Sequence, residues 1–138
     1  AAVGLAQLDR LDALVTHHEW MAEAYADGLA GLPGITQPSP CEGGRHVYWM
    51  VTIHVDEASY GHSAHTLRGA LAAEAIETRP VFTPLHVQPI LQAHAEGQGA
   101  FPNATWASET GINLPSGATL TPDQLARVCS VIRRTFEG

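Results

Sequence analysis

A largely apolar stripe that repeats every three to four residues constrains the fold of this chain more than any other feature. Its side chains are Leu8, Leu11, Val15, His18, Ala22, Tyr25, Leu29 and Leu32. This spacing lines one face of a helix, predicted from about Gly4 to Ala30 and roughly 40 Å long. The segment Gly31–Gly34, Gly-Leu-Pro-Gly, stops it. Because the helix is long for a small domain and starts without a capping residue, we expect it to continue a segment upstream.

The clearest strand signal is an alternation of side chains between positions 46 and 55. One alternate set is apolar and comprises Val47, Trp49, Val51, Ile53 and Val55. A period of two predicts a strand from His46 to Val55. The other set is mixed rather than polar, so we expect both faces of this strand to be at least partly covered. A shorter strand is predicted at positions 35–38, with a turn at Glu42–Gly44 between the two.

Two further helices are predicted downstream. The first covers positions 63–75 and has an apolar face made of Leu67, Ala70, Leu71 and Ala75. The second has the strongest local signal, because Thr121 can cap it, Pro122 suits its first position and Gln124 completes a capping box. Its predicted buried stripe is Leu125, Val128, Ile132 and Phe136, with Leu120 stapled to Leu125.

Arg133 and Arg134 lie near the negative end of this last helix, where a structural role is expected for cations. Helices that flank short strands of one small sheet predict an α/β fold of the two-layer α+β kind. The length of the chain fits a single domain over residues 1–138.

The charge balance is acidic and includes no lysine. Seven cationic side chains, all arginine, stand against fourteen carboxylates, for a formal net charge of −7. Nucleic-acid and anionic-membrane surfaces need clustered cations, so neither kind of partner is expected. No apolar run approaches the ~18 residues of a membrane span, and no basic-then-apolar leader opens the chain. Cys41 and Cys129 form no zinc or disulfide pattern, so we expect a reduced, cytoplasmic protein.

Eight histidines raise the question of a metal site. His62 and His65 are three positions apart and His17 is adjacent to His18, but no third ligand follows at short spacing and no H-E-x-x-H motif is present. Adjacent histidines on a helix point about 100° apart, so His17 and His18 are poorly placed to share an ion. No metal site is predicted, and a metal-dependent hydrolase is the least favoured alternative.

The segment from Thr78 to Pro89 can carry chemistry. Its prolines at 80, 84 and 89 remove backbone donors, so it cannot form a long central strand. One interpretation is structural, with Arg79 solvated and the core anchored by Val81, Phe82 and Leu85. The other is an anion clamp, in which the Arg79 guanidinium binds phosphate oxygens and His86 adds a second donor. The residues by themselves leave both open.

The longer stretch Ile76–Pro89, Ile-Glu-Thr-Arg-Pro-Val-Phe-Thr-Pro-Leu-His-Val-Gln-Pro, resembles the signature of the C-terminal domain of the DegT/DnrJ/EryC1/StrS aminotransferases. Other family-like segments follow in the same order, namely the opening helix at 1–11, His46–Trp49, Phe101–Ala104 and Gly111–Pro115. The chain is thus identified as similar to the small C-terminal domain of fold-type I aminotransferases. The resemblance implies a long N-terminal helix and a small, mainly antiparallel sheet packed against helices.

The family acts on nucleotide-linked keto sugars with pyridoxal phosphate (PLP), held as a Schiff base on a lysine. Glutamate gives its amino group to the cofactor, which passes it to the sugar. The R-P-x-F-x-P-L-H-x-Q-P form is most similar to members that aminate C4 of a UDP- or GDP-linked 4-keto-6-deoxy sugar. The cofactor-holding residues lie upstream of Ala1 in the family, so the resemblance implies no catalytic residue here and no PLP on this chain alone. It places Arg79, His86 and Gln88 against the substrate, while Ala75 departs from the glycine usual at its turn.

Two functional hypotheses therefore remain beside the hydrolase. In the first, the chain is part of a working aminotransferase whose lysine-bearing cofactor domain is a separate chain or was removed by cleavage. In the second, it is a non-catalytic relic or a module that binds a nucleotide sugar or a partner. In both, the first helix and one sheet face should present an apolar patch larger than a few hundred Å². We expect the missing domain or self-association into a homo-oligomer to cover it.

Overall fold

The computed structural model describes residues 2–95 and 99–138. Its helices are α1 (Ala2–Leu8), α2 (Leu11–Leu29), α3 (Glu57–Tyr60), α4 (Ala64–Ala73), α5 (Gln92–Ala95), α6 (Pro102–Thr110) and α7 (Pro122–Glu137). Its strands are β1 (Ile35–Thr36), β2 (Val51–Val55), β3 (Arg79–Pro80) and β4 (Gly111–Leu114). Two short 3-10 turns, Leu85–Val87 and Pro89–Leu91, precede α5.

The four strands form one antiparallel sheet in the order β1-β2-β4-β3. Val51 and Ile53 pair with Leu114 and Ile112, and all four side chains are buried. They share one core with the buried faces of α2, α4 and α7. The other sheet face is partly covered by α6, whose Trp106 stacks on the ring of His54. The predicted two-layer α+β architecture and the small antiparallel sheet are confirmed.

The strand predicted from position 46 begins only at Val51. β4 ends at Leu114, the partner of Val51, and the next residue is a proline without a backbone donor. Tyr48 has a φ of 46°, outside the strand region, and its N–H donates to His46 Nδ1 at 2.9 Å. The alternation therefore runs past the end of the strand, because the length of β2 depends on its partner. The expected coverage of both faces is correct for Val51–Val55, where His54 is also buried.

The first predicted helix is interrupted. α1 and α2 are separated at Asp9–Arg10, where the Arg10 N–H donates to Gln7 O at 3.1 Å, a tighter turn than the α-helical pattern. α1 buries no residue, so no tertiary packing aligns it with α2. The stripe is buried only in its second half, at Ala22, Tyr25, Leu29 and Leu32. The nineteen residues of α2 are the long N-terminal helix implied by the resemblance.

The helix α4 has the predicted Ser63 cap, which accepts a hydrogen bond from the Thr66 N–H. It ends earlier than expected, at Ala73, in a Schellman motif. The Ile76 N–H donates to Leu71 O at 2.9 Å and the Ala75 N–H donates to Ala72 O at 3.0 Å. This motif places Ala75 in the left-handed region, with a φ of 57°. The departure from glycine at this turn thus leaves the turn formed but strained.

We predict that Ala75→Gly stabilises the fold by about 0.5–1 kcal/mol. The left-handed conformation costs an L-residue ~1–2 kcal/mol, and the added freedom of glycine in the unfolded chain takes back part of the gain. The matched control is Ala72→Gly, an exposed position inside α4, which should lose about 1 kcal/mol. Urea unfolding of the unchanged protein and the two variants measures both changes in the free energy of unfolding. If the two variants lost equal stability, the backbone strain at position 75 would be refuted.

The last helix is as predicted. The Thr121 hydroxyl accepts from the Gln124 N–H, and the Gln124 side chain accepts from the Thr121 N–H, which completes the capping box. The predicted stripe is buried at Leu125, Val128 and Ile132, and Phe136 packs against the core. Both arginines near its end have structural contacts. Arg133 donates to Gly28 O and Ala30 O, each at 2.8 Å, and Arg134 pairs with Glu74 at 2.8 Å.

Both cysteines are free thiols. Burial raises the pKa of Cys129 to about 11, so this side chain stays a neutral thiol in the core. Among the described residues, no helix combines the length and apolar content needed to cross a bilayer.

Candidate functional site

The signature stretch lies at the edge of the sheet and faces outward. Its only strand residues are Arg79 and Pro80, which pair with Asn113 and Ile112 of β4. An edge position suits Pro80 because proline cannot donate to a further strand. Val81 packs against Gly111, where a Cβ atom would overlap its side chain. The chain then leaves the sheet.

The apolar side chains beyond Val81 do not anchor the core. Phe82 is 69% exposed, Leu85 72% and Ile90 85%. The structural interpretation is therefore wrong for Phe82 and Leu85, although Arg79 is exposed as that interpretation expected. Folding leaves this apolar surface uncovered within the part of the chain that the structure describes. A surface of this kind is typical of a binding or interaction site.

Arg79 lies at a mixed cleft of about 520 Å³ between β3, β4 and the turn after β4. Its guanidinium contacts Glu77 at 3.3 Å, and both side chains are exposed. Water screens such a pair, so Glu77 holds the arginine only weakly. The cleft is also lined by Thr78, Asn113 and Ser116. It therefore combines the Arg79 cation and the Glu77 carboxylate with hydroxyl and amide groups, which can bind oxygen atoms and hydroxyls of a sugar phosphate.

A polar row crosses the sheet beneath this cleft. Thr52, Asn113 and Arg79 are successive cross-strand partners on β2, β4 and β3, and directly opposed residues share a sheet face. The Thr52 hydroxyl donates to Asn113 Oδ1 at 2.7 Å. Asn113 Nδ2 donates to Pro80 O at 3.2 Å, and the asparagine is buried. Sequence reasoning did not select Thr52 or Asn113, although an asparagine between Ile112 and Leu114 in the family-like segment Gly111–Pro115 is a detectable signal.

His86 lies at a different and more apolar cleft, of about 400 Å³. Its ring stacks on Phe101 with centroids 4.8 Å apart, and its Nε2 is 3.4 Å from the Thr105 hydroxyl. The remaining lining residues are Pro84, Leu85, Leu91, His94 and Ala104. Such a lining is suited to a flat or apolar group rather than to a free phosphate.

The structure does not bring the three candidate residues into one cleft. Arg79 and His86 line separate clefts, and Gln88 lines neither of them. Gln88 instead donates from Nε2 to Thr83 O at 3.4 Å, within its own segment. A substrate that contacts both Arg79 and His86 would have to span the two clefts.

His54 forms a second buried polar group on the same sheet face. The Thr110 hydroxyl donates to Trp106 O at 2.8 Å, so it can only accept from His54 Nδ1 at 3.0 Å. The neutral ring therefore has its proton on Nδ1. Burial lowers the pKa of His54 below its ordinary value of 6.5.

We predict a fall in stability on acidification that depends on His54. The pKa of His54 is lower in the folded than in the unfolded chain, so the neutral ring contributes to the free energy of unfolding. This contribution is fully present above pH 6.5 and is lost as the pH falls through the pKa of His54 in the folded state. Urea midpoints between pH ~7 and ~5 measure the slope. His54→Gln keeps a donor for Thr110 but does not titrate, so its profile should be flatter. An unchanged slope in His54→Gln would assign the pH dependence to other groups.

Within residues 2–95 and 99–138, no group of three or more histidine, cysteine or carboxylate side chains could hold a metal ion. The rings of His17 and His18 have centroids 6.3 Å apart and an interplanar angle of 78°.

Comparison with known proteins now identifies the fold. The profile of the DegT/DnrJ/EryC1/StrS aminotransferase family matches residues 1–133. The chain belongs to this family. The GDP-perosamine synthase of Vibrio cholerae is 38% identical over 136 residues, which cover 99% of this chain and 36% of the synthase. That of Escherichia coli O157:H7 is 34% identical, again over 99% of this chain and 35% of the synthase.

This chain has the same fold as the matching parts of solved sugar aminotransferase structures. Streptomyces venezuelae DesV, solved in complex with a ketimine intermediate, has a TM-score of 0.88 and 29% identity over 99% of this chain and 36% of DesV. DesI, solved in the presence of its TDP-sugar product, has a TM-score of 0.83 and 26% identity over 96% of this chain and 34% of DesI. The chain thus spans about a third of the length of these relatives. The expected likeness to the small C-terminal domain of fold-type I aminotransferases is confirmed.

The family uses PLP, but the residues of this chain do not fit that cofactor by themselves. The family holds PLP on a lysine amine, and all seven cationic side chains here are arginines. The guanidinium group is protonated at every ordinary pH, so it cannot act as the nucleophile that this attachment needs. These 138 residues therefore do not include the amine that this attachment needs.

Proposed function

We propose that this chain forms the substrate side of a PLP-dependent aminotransferase that acts on a nucleotide-linked 4-keto-6-deoxy sugar, with glutamate as the amino donor. The lysine-bearing cofactor domain is supplied by another segment or another chain. Arg79, His86 and Gln88 are the proposed substrate contacts. The observation that carries the proposal is the signature stretch, whose Phe82 and Leu85, together with the adjacent Ile90, remain uncovered near two clefts.

The two clefts support a division of tasks within this proposal. The cleft at Arg79 offers a cation, hydroxyls and an amide beside the Glu77 carboxylate, a set that matches the hydroxyl- and oxygen-rich part of a nucleotide sugar. The cleft at His86 offers apolar walls and a stacked imidazole–phenyl pair, which match a flat ring. The likeness to GDP-perosamine synthases favours a GDP-linked sugar over the UDP-linked alternative.

The N-terminal helices support the need for a further domain. α1 buries none of its residues, and its side chains Val3, Leu5 and Leu8 are exposed, as is Leu11 at the start of α2. A helix of seven residues is too short to be stable in water without packing. A cofactor domain that packs on this face would bury the apolar side chains and stabilise the helix. Self-association into a homo-oligomer is the competing way to cover it.

A chimera tests the proposal. In it, this chain replaces the matching 36% of the Vibrio cholerae GDP-perosamine synthase, which keeps its own lysine-bearing part. We expect glutamate-dependent amination of a GDP-linked 4-keto-6-deoxy sugar, measured by mass spectrometry of the sugar product. The synthase truncated before the exchanged region should give no product. A folded chimera that retains PLP but aminates no GDP-, UDP- or TDP-linked keto sugar would contradict the proposal.

We predict that Arg79→Gln lowers the kcat/KM of this chimera for the nucleotide sugar by roughly 10- to 100-fold, the effect of losing ~1.5–3 kcal/mol from a charge-assisted hydrogen bond. The matched control is Arg45→Gln, an exposed arginine that pairs with Glu19 and lines neither cleft. Its kinetics should be unchanged. Equal effects of the two substitutions would remove Arg79 from the substrate site.

The absence of lysine also favours a second candidate, a module that binds a nucleotide sugar without catalysis. Titration calorimetry of residues 1–138 with a GDP-linked sugar distinguishes the two. Measurable binding that Arg79→Gln abolishes, together with an inactive chimera, would support the binding module. An active chimera would support the aminotransferase.

A further inference from the structure

The edge strand β3 is attached to the sheet by a short pairing. β3 has only two residues, Arg79 and Pro80, which pair with Asn113 and Ile112 of β4. The next backbone contact, from the Val81 N–H to Gly111 O, is long at 3.4 Å. Among the described residues, the Arg79 side chain pairs with the exposed Glu77 at 3.3 Å. So short a strand pairing gives Arg79 only limited backbone support.

The side chain of Asn113 adds a hydrogen bond to this short strand. Pro80 O can only accept, so the atom of Asn113 that lies 3.2 Å from it must be the amide nitrogen. The amide oxygen then faces Thr52, whose hydroxyl must donate to it at 2.7 Å. The orientation of the Asn113 amide is thus fixed from both sides. Because Asn113 is buried, water competes little for these bonds.

We propose that Asn113, oriented by Thr52, is a positioning residue that holds β3 and thereby places the Arg79 guanidinium at its cleft. The Thr52–Asn113–Pro80 chain of hydrogen bonds runs from the central strand β2 to the edge strand β3. Asn113 and Arg79 are direct cross-strand partners and line the same cleft. Loss of the Thr52 donor should free the amide to rotate and should loosen the strand that carries Arg79. The inference rests on the proposed function only for the identity of the ligand in this cleft.

Amide hydrogen exchange on residues 1–138 tests the positioning role without any ligand. Thr52→Val has nearly the same shape as threonine but lacks the donor, whereas Thr52→Ser keeps it. We expect the Val81 amide to exchange about five- to tenfold faster in Thr52→Val, as for the loss of one hydrogen bond. The Ile112 amide should report any global loss of stability, and Thr52→Ser should restore slow exchange at Val81. Unchanged Val81 exchange relative to Ile112 in Thr52→Val would overturn the proposal.

A double-mutant cycle in the chimera tests whether the pair acts through Arg79. Thr52→Val should raise the KM for the nucleotide sugar about three- to tenfold with little change in kcat, and Thr52→Ser should not. In the Arg79→Gln background the same substitution should have no further effect. The same rise in KM with and without Arg79 would overturn the positioning role. If Arg79→Gln alone leaves KM unchanged, the proposed substrate contact fails instead, and the exchange measurement still decides whether Asn113 and Thr52 hold β3.

Discussion

Replacement of Gly34 by alanine is expected to destabilise the protein by about 3 kcal/mol or more. Gly34 has a φ of 74°, and an added Cβ atom would lie 2.5 Å from Tyr60 N and 2.7 Å from Asp56 O. Both contacts are with backbone atoms, which cannot rotate away as a side chain can. Gly34 O also accepts from the Asp56 N–H at 2.7 Å, so a shift of this residue would disturb the start of α3.

Gly31 provides a matched control for this substitution. Its φ of 72° is nearly the same, but nothing lies within 4 Å of an added Cβ atom. Gly31→Ala should therefore show only the conformational cost, about 1 kcal/mol. Urea unfolding of both variants separates the cost of the backbone angle from the cost of the close approach. Equal losses at the two positions would contradict the packing of Gly34 against Tyr60 and Asp56.

Replacement of Ile132 by alanine is expected to cost about 2–5 kcal/mol, the usual range for an aliphatic core side chain. Ile132 is fully buried in the core shared by α7, α2 and α4. Its carbonyl also accepts from the Tyr60 hydroxyl at 2.6 Å, so the backbone at this position is held and cannot move to fill a cavity. Restricted relaxation of this kind places the cost toward the upper part of the range.

Two companion variants calibrate the effect at Ile132. Ile132→Val removes one methylene and should lose about 0.5–1.5 kcal/mol. Ser130→Ala, at an exposed position of the same helix, should change stability by no more than about 0.5 kcal/mol. Thermal and urea unfolding measure the change in the free energy of unfolding for Ile132→Ala, Ile132→Val and Ser130→Ala. A loss below that of Ile132→Val would show that α7 does not pack at this position as described.

Sequence predictions that depend on interactions within one helical turn were accurate, whereas predictions that depend on contacts between distant segments were not. The start of α7 was predicted to the residue, because the capping box and the proline at the first position act within one turn. The same holds for the Ser63 cap of α4. The end of β2 near position 46 was wrong, because a strand lasts only as long as its neighbour and Pro115 ends that neighbour. The break at Asp9–Arg10 was missed because the apolar stripe continues through it without tertiary packing.

The candidate site shows the same division. The stretch Ile76–Pro89 was sufficient to indicate the family, which the match over residues 1–133 confirms. It did not reveal that Arg79 and His86 lie at separate clefts, since the chain leaves the sheet after Pro80 and His86 lies in a 3-10 turn at Leu85–Val87. Nor did it reveal Asn113, which is distant in the sequence and meets Pro80 only through sheet register. The roles of Arg79, His86 and Gln88 in substrate binding remain predictions.

By itself, the sequence determined the family, the mixed α+β class, the caps of α4 and α7, and the lack of a lysine on which PLP could be held. Each of these depends on residue identity or on contacts within a few positions. Only the tertiary structure decided the length of β2, the outward exposure of Phe82, Leu85 and Ile90, and the Thr52–Asn113–Pro80 contacts beneath Arg79. These depend on which distant segments become neighbours, because burial and cross-strand hydrogen bonds are properties of pairs of elements and are absent from either element alone.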